Sequence, residues 1–376
     1  MRWESLQLYA GQPEGPAHAG TASDDGPDSS AAARAGRGRA PALFERGAVT
    51  RSFDTPGFQG MTFYEIQARS IINRVPESSR VPFRWTINPY RGCSHGCVYC
   101  YARNTHTYLD FDAGLDFNSK IVVKVNAPEL VRKELAARKW QGEHIAMGTN
   151  VDCYQRAEGR YRLMPGILTA LRDAANPFSI LTKGTLILRD LELLKQSAEV
   201  TDVGLNVSVG SVDKELWRSI EPGTPAPDRR LGVCATLTEH GLRCGVLMGP
   251  VVPFLSDSPA QLEATVREIA ATGAAHVTAI VLHLRPGARE WFYGWLGEQH
   301  PDLVPRYRAL YRSGAYAPRG YQQQIAEQVT GFARKHGVGR AGPARARSVR
   351  RARRPDTATE TAAASEAEPG VQLTLM

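Results

Sequence analysis

RGCSHGCVYCYAR, residues Arg91 to Arg103, decides how the rest of the chain is read. Three cysteines, Cys93, Cys97 and Cys100, follow at spacing Cys-x3-Cys-x2-Cys, with Tyr99 directly before the last. Three thiolates this close in sequence can hold a metal, and the number of ligands narrows which one. Structural zinc takes four protein ligands, and an iron–sulfur cluster is normally held by four cysteines. Only three are supplied locally. His95 could complete a zinc site, but it sits between the first two cysteines, where a tight loop would have to turn it inward. A 4Fe–4S cluster on three cysteines leaves one iron open, as catalytic metal sites do. Ligand counting therefore favours the cluster over zinc.

The segments around this loop repeat a strand-then-helix rhythm. FRWTINPYRG (83–92) reads as a strand running into the cysteines, and HIAMGTN (144–150), FSILTKG (178–184), VGLNVSVG (203–210), RCGVLMGPVV (243–252) and HVTAIVLHLR (276–285) read as five more. Helical patterns separate them, among them SPAQLEATVREIAATG, which opens with Ser258 as N-cap and Pro259 at the first helical position. Strands apolar on both faces and alternating with helices imply a parallel sheet with helices outside. Six units, fewer than the eight of a closed barrel, predict an α/β fold of the partial (β/α)6 TIM-like type; a doubly wound sheet shares the same pattern. The cysteine loop then lies at the carboxyl end of the first strand, where barrels place chemistry.

Domain limits follow from composition. Residues 1–42, rich in Ala, Gly, Pro, Ser and Asp, read as a disordered arm. Residues 43–82 form a preface packing on the barrel, in which Phe63, Ile66, Ile71 and Ile72 give a roughly helical stripe. Residues 83–338 are the core and a C-terminal helical cap whose Trp291, Phe292, Trp295, Tyr307, Tyr311 and Tyr316 either pack or offer a platform for stacking bases. Residues 339–376 read as a disordered basic tail. Of the net charge of +8, the first 45 residues carry −2 and residues 340–376 carry +3, leaving +7 on the folded part, which suits a polyanionic partner or plain solubility. With no signal-peptide run and no stretch of about 18 apolar residues, the chain is expected in the cytoplasm, away from membranes. Three clustered and three scattered cysteines (Cys153, Cys234, Cys244) do not make a disulfide framework.

The cysteine spacing, with an aromatic before the third cysteine, on the loop after the first strand of a partial barrel, resembles the signature of the radical S-adenosylmethionine (SAM) superfamily. From about Thr62 to Tyr316 the chain is similar to the branch related to spore photoproduct lyase. The resemblance implies that Cys93, Cys97 and Cys100 bind three irons and that SAM chelates the fourth. Reductive cleavage of SAM would yield a 5′-deoxyadenosyl radical, with electrons from a donor of the flavodoxin or ferredoxin type. It also implies that Tyr99 packs near the adenine, that Thr149, Asn150 and Asp152 meet the SAM amino group or ribose, that Lys183 holds its carboxylate and Ser208 its ribose. Gly249-Pro250 and the backbone of His283 to Arg285 would line the adenine. Tyr101 matches a tyrosine beside the lyase's hydrogen relay. The lyase's hydrogen-donating cysteine falls here on Gly148, so Cys153 would be a displaced donor or simply a buried thiol.

Val371 to Met376 is similar to the short peptides that dock on the DNA sliding clamp, with Gln372 to Met376 as the binding segment on a flexible leash. The leading expectation is a repair-lyase-like radical SAM enzyme acting on DNA or another nucleic acid. The alternatives are a radical SAM modifier of a peptide or RNA, and a zinc-stabilised, non-catalytic nucleic-acid-binding protein.

Overall fold

A computed structural model describes residues 47–339, except 78 and 80; the expected arm and the basic tail with its terminal peptide fall outside the described residues, Gly339 apart. In chain order the strands are β1 (Val49–Arg51), β2 (Thr62–Ile66), β3 (Ile72–Arg74), β4 (Trp85–Ile87), β5 (Tyr90–Arg91), β6 (Lys120–Lys124), β7 (Ile145–Met147), β8 (Phe178–Thr182), β9 (Val203–Ser208), β10 (Cys244–Val251) and β11 (Val277–Val281). Six of them, β4, β7, β8, β9, β10 and β11, pair in parallel in that order, with β3 antiparallel on the β4 edge. These are the six segments that the apolar rhythm picks out. Each lies beside its predecessor, whereas a doubly wound sheet reverses direction at a switch point. The order is that of a barrel, left open between β11 and β3.

Helices Ala127–Leu135, Leu163–Asp173, Leu191–Val200, Pro227–Glu239 and Pro259–Ala271 run between the strands. Ser258 caps the last of them, accepting the Gln261 N–H at 3.4 Å. Because helices cover the sheet, β7 is buried at every residue and β8 at all but one.

A second sheet, ordered β1-β2-β6-β5, is the main departure from the sequence pattern. The stripe forms no helix: Phe63 and Ile66 lie on β2, Ile72 starts β3 and Ile71 directly precedes it. Thr-Phe-Tyr-Glu-Ile is built of β-branched and aromatic residues, and it gains a parallel partner of the same kind in Lys-Ile-Val-Val-Lys, Lys120–Lys124. The period is two: Phe63 enters the main core among Phe53, Phe58 and Tyr161, with ring centroids 5.3, 5.6 and 5.6 Å away, while Tyr64 faces Phe111 at 5.2 Å. The segment 83–92 is also divided. Trp85–Ile87 belongs to the barrel and Tyr90–Arg91 to the second sheet, so the chain crosses between sheets at Asn88-Pro89 just before the cysteines.

The cap is formed by helices Ala288–Gln299, Val304–Leu310 and Arg319–His336. Its aromatics are mostly packing residues. Tyr307 and Tyr311 stack at 6.0 Å, are buried, and donate their hydroxyls to the carbonyls of Pro253 (2.5 Å) and Leu282 (2.8 Å); Phe292 is buried beside Tyr307. A ring enclosed on both faces has no surface left for a base, which removes these three from a stacking platform.

Phe63→Ala opens a cavity among three aromatic rings and is expected to destabilise the fold by about 3–5 kcal/mol in denaturant titration. A loss below about 1 kcal/mol would show that the second sheet does not share the barrel's core.

Candidate active site at the carboxyl ends of the barrel strands

The cysteine loop is held by its own residues before any ligand is considered. Gly92 turns it with φ +78°; a side chain there would meet the His106 ring at 2.8 Å and the Lys120 carbonyl at 2.9 Å. The Cys93 N–H donates to the Phe117 carbonyl (2.9 Å) and the Val98 N–H to the Ile220 carbonyl (3.0 Å). Buried Gln155 accepts the Ser94 N–H (2.9 Å) and donates to the Gly92 carbonyl (2.9 Å). Arg103, fully buried, donates to the carbonyls of Gly96, Cys97, Ala113 and Gly114 and to Asn118 Oδ1, at 2.8–3.2 Å. Its guanidinium lies over the Phe117 and Trp291 rings, 5.2 and 4.7 Å from their centroids.

Cys93 and Cys97 are buried and Cys100 is half-buried. Burial pushes all three thiols above the ordinary range, Cys97 to about 12, and neighbouring thiols add to the rise at Cys93 and Cys97. All six cysteines are free thiols. Among the described residues no three His, Cys, Asp or Glu side chains converge as ligands of a single metal ion. His95 does turn inward, but towards Asp152, with Nδ1 3.4 Å from Oδ2. Burial lowers its pKa, with Asp152 opposing. A polynuclear iron cluster spreads its thiolates wider than one ion does, and soft thiolates suit iron–sulfur chemistry. The donor set fits that group, whose positive charge would drive the thiols to ionise.

Facing the loop, the strand ends bring together polar groups from distant parts of the chain. Asp152 Oδ1 accepts the Thr182 hydroxyl (2.7 Å) and the Tyr154 N–H (2.9 Å), and Oδ2 accepts the Lys183 N–H (2.6 Å). Lys183 Nζ donates to Ser208 Oγ at 2.8 Å, which donates on to the Gly249 carbonyl at 3.0 Å. The same ammonium stands 3.8 Å from Glu221 Oε1 and 5.9 Å from the centre of the Tyr99 ring. Glu221 accepts the Tyr99 hydroxyl and, at 2.6 Å, Arg230 Nη2; Arg230 Nη1 reaches the Ser208 carbonyl at 2.8 Å. Burial works against the Glu221 charge, but Arg230 and Lys183 outweigh it and hold the carboxyl below its usual range.

Tyr99, Asp152, Lys183 and Ser208, all anticipated from the sequence, thus form one connected group. Thr149 takes part through its carbonyl, which accepts the Tyr101 hydroxyl, and Asn150 is half-buried next to it. The Tyr101 ring is 47% exposed at the rim. Cys153 is fully buried in the main apolar core. Gly148 has φ +75°, and a Cβ there would stand 1.8 Å from the Leu181 carbonyl oxygen, so no side chain fits this backbone. Glu221, Arg230 and Gln155 are absent from the sequence reading. A carboxylate and an arginine nine positions apart form no motif, and Arg229-Arg230 reads as a solvated start of a helix.

A model described as the radical SAM superfamily matches residues 87–269. An uncharacterised protein of Mycobacterium tuberculosis is 48% identical over 299 residues, covering 80% of this chain and 88% of its own. One from Methanocaldococcus jannaschii is 31% identical over 194 residues, 51% of this chain and 69% of its own. Among solved structures, spore photoproduct lyase complexed with dinucleoside spore photoproduct superposes with a TM-score of 0.55 at 15% identity, over 74% of this chain and 80% of that one. A mutant of that lyase with bound AdoMet gives 0.54 at 16%, over 73% and 79%. At such identities the likeness is one of fold. Cysteine loop, barrel order and family match agree, and the chain belongs to the radical SAM superfamily.

Proposed function

We propose that this protein is a radical SAM enzyme acting on DNA or another nucleic acid. In this reading Cys93, Cys97 and Cys100 ligate a 4Fe–4S cluster, while Tyr99, Lys183 and Ser208, with Thr149, Asn150 and Asp152, hold SAM. The observation that carries it is the joining of the cysteine loop to Lys183 and Ser208 through Glu221 at one mouth of the barrel. When bound, cluster and SAM supply one-electron cleavage of a carbon–sulfur bond and a radical that takes hydrogen from a substrate.

The chain's own part is to bind, orient and exclude water. An ammonium has three donors, and Lys183 directs one at Ser208, which leaves capacity for a carboxylate. Arg103 sets positive charge behind the thiolates and fixes the loop's carbonyls. Tyr101, half in solvent and oriented by the Thr149 carbonyl, is the candidate hydrogen relay. An electron donor of flavodoxin or ferredoxin type completes the reaction.

Support for a nucleic-acid substrate comes from charge. The described part is basic, Arg285 stands at the rim with its Nη2 2.9 Å from the Tyr316 hydroxyl, and Arg306, Arg308 and Arg312 are exposed on the cap. A protein of similar fold was solved with a dinucleoside photoproduct. Gly148, which admits no thiol, separates the hydrogen-return step from the lyase's and favours a different outcome on the substrate, the opening for modification of RNA or a peptide. The zinc-binding alternative is disfavoured because, among the described residues, no three His, Cys, Asp or Glu side chains converge as ligands of one ion.

Anaerobic reconstitution should give about four irons per chain and, with SAM and reductant, 5′-deoxyadenosine; Cys97→Ala should lose both. A colourless zinc protein inert towards SAM would overturn the assignment. Incubation with damaged DNA, RNA and peptide pools, read by mass spectrometry, identifies the substrate class, and altered peptide alone would exclude nucleic acid. Gly148→Cys is expected to destabilise the protein by about 2–4 kcal/mol rather than to create a hydrogen donor; a stable, fully folded variant would refute the steric argument.

A further inference from the structure

Glu221 is 3% exposed and Arg230 1%, and neither belongs to the cysteine loop or to the strand-end residues assigned to SAM. Three donors meet this one carboxylate. Oε2 takes Arg230 at 2.6 Å, whereas Oε1 takes the Tyr99 hydroxyl and stands 3.8 Å from Lys183 Nζ. With Arg230 present, both oxygens have close partners other than Lys183. The short contact of Lys183 is instead a neutral one, Ser208 Oγ at 2.8 Å. Asp152, the other carboxylate nearby, is engaged by Thr182, by the N–H groups of Lys183 and Tyr154, and by His95. Glu221 therefore spends its oxygens on Arg230 and Tyr99, and the Lys183 ammonium is left with a neutral partner at short range. Such an ammonium can receive an incoming carboxylate, and one already tightly paired cannot.

We propose that Arg230 is a positioning residue for SAM: by holding Glu221 it keeps Lys183 available to the SAM carboxylate. The inference rests on the reading above, in which Lys183 meets that carboxylate. Arg230 comes from the helix Pro227–Glu239, behind the strand ends, and its second nitrogen fixes the Ser208 carbonyl while the first holds Glu221. A forked guanidinium can span both at once; a lysine ammonium could not. Without Arg230, Lys183 is the remaining cation within reach of Glu221, and the two pair with each other at the expense of the ligand.

The test is equilibrium binding to the reconstituted, full-length holoprotein of two ligands, SAM and decarboxylated SAM, which lacks only the carboxylate. Wild type should prefer SAM. Arg230→Gln should weaken SAM by roughly tenfold or more, the size of a charged hydrogen bond, and decarboxylated SAM by less than about threefold, so that the preference collapses. The double variant Glu221→Gln, Arg230→Gln should regain it, because a neutral amide no longer claims Lys183. Equal weakening of both ligands by Arg230→Gln would make Arg230 merely structural and overturn the inference. Should Arg230→Gln fail to fold or to hold iron, the double variant decides, since it buries no unpaired charge: retained preference supports the proposal and lost preference refutes it. A wild-type holoprotein that binds both ligands alike would instead refute the role of Lys183 itself.

Discussion

The guanidinium of Arg103, buried with no carboxylate at hydrogen-bond distance among the described residues, is the interaction on which the site depends. Burying a charge is costly unless its donors are satisfied. Here they are satisfied by main-chain carbonyls of the cysteine loop and of the turn at Ala113 and Gly114. Those carbonyls are thereby fixed in direction, and the cysteines between them with them. The same charge favours ionised thiols, which burial opposes at Cys93, Cys97 and Cys100. One residue therefore supplies both shape and potential to the loop, and a lysine, with a single nitrogen, could not reach so many acceptors.

Around that loop the architecture works by delivery. The crossing at Asn88-Pro89 takes the chain out of the barrel and into the second sheet, so the cysteines hang between two sheets rather than on a free loop. Opposite them, Lys183 follows the last residue of β8 and Ser208 is the last of β9, and the loop after the helix Lys214–Ile220 brings Glu221 between these and Tyr99. The result is a mouth whose charged groups all have partners, with the loosest pairing at Lys183. This is where an anionic group has the most to gain.

Gly148 shows how backbone geometry limits chemistry. Its left-handed conformation brings it against the Leu181 carbonyl, and parallel strands β7 and β8 at normal spacing leave no volume for a thiol. In the proposed reaction, a hydrogen relay would therefore have to come from groups elsewhere on the rim, among which Tyr101 is oriented and accessible.

Local sequence determined the cysteine loop, the six barrel strands and the helices between them, because spacing and apolar period are properties of neighbouring residues. Lys183 and Ser208 were marked by the resemblance to the radical SAM family, each at the end of a recognisable strand segment. The second sheet escaped because Thr62–Ile66 is a strand only when Lys120–Lys124 lies beside it, a pairing across more than fifty residues. The monotonic strand order, which separates a barrel from a doubly wound sheet, is likewise written in no single segment. Glu221 and Arg230 look like solvated charges in the sequence, and only the fold removes them from water. Tertiary structure decided what these charges do, because an ion pair acquires its meaning from burial and from the third charge placed beside it.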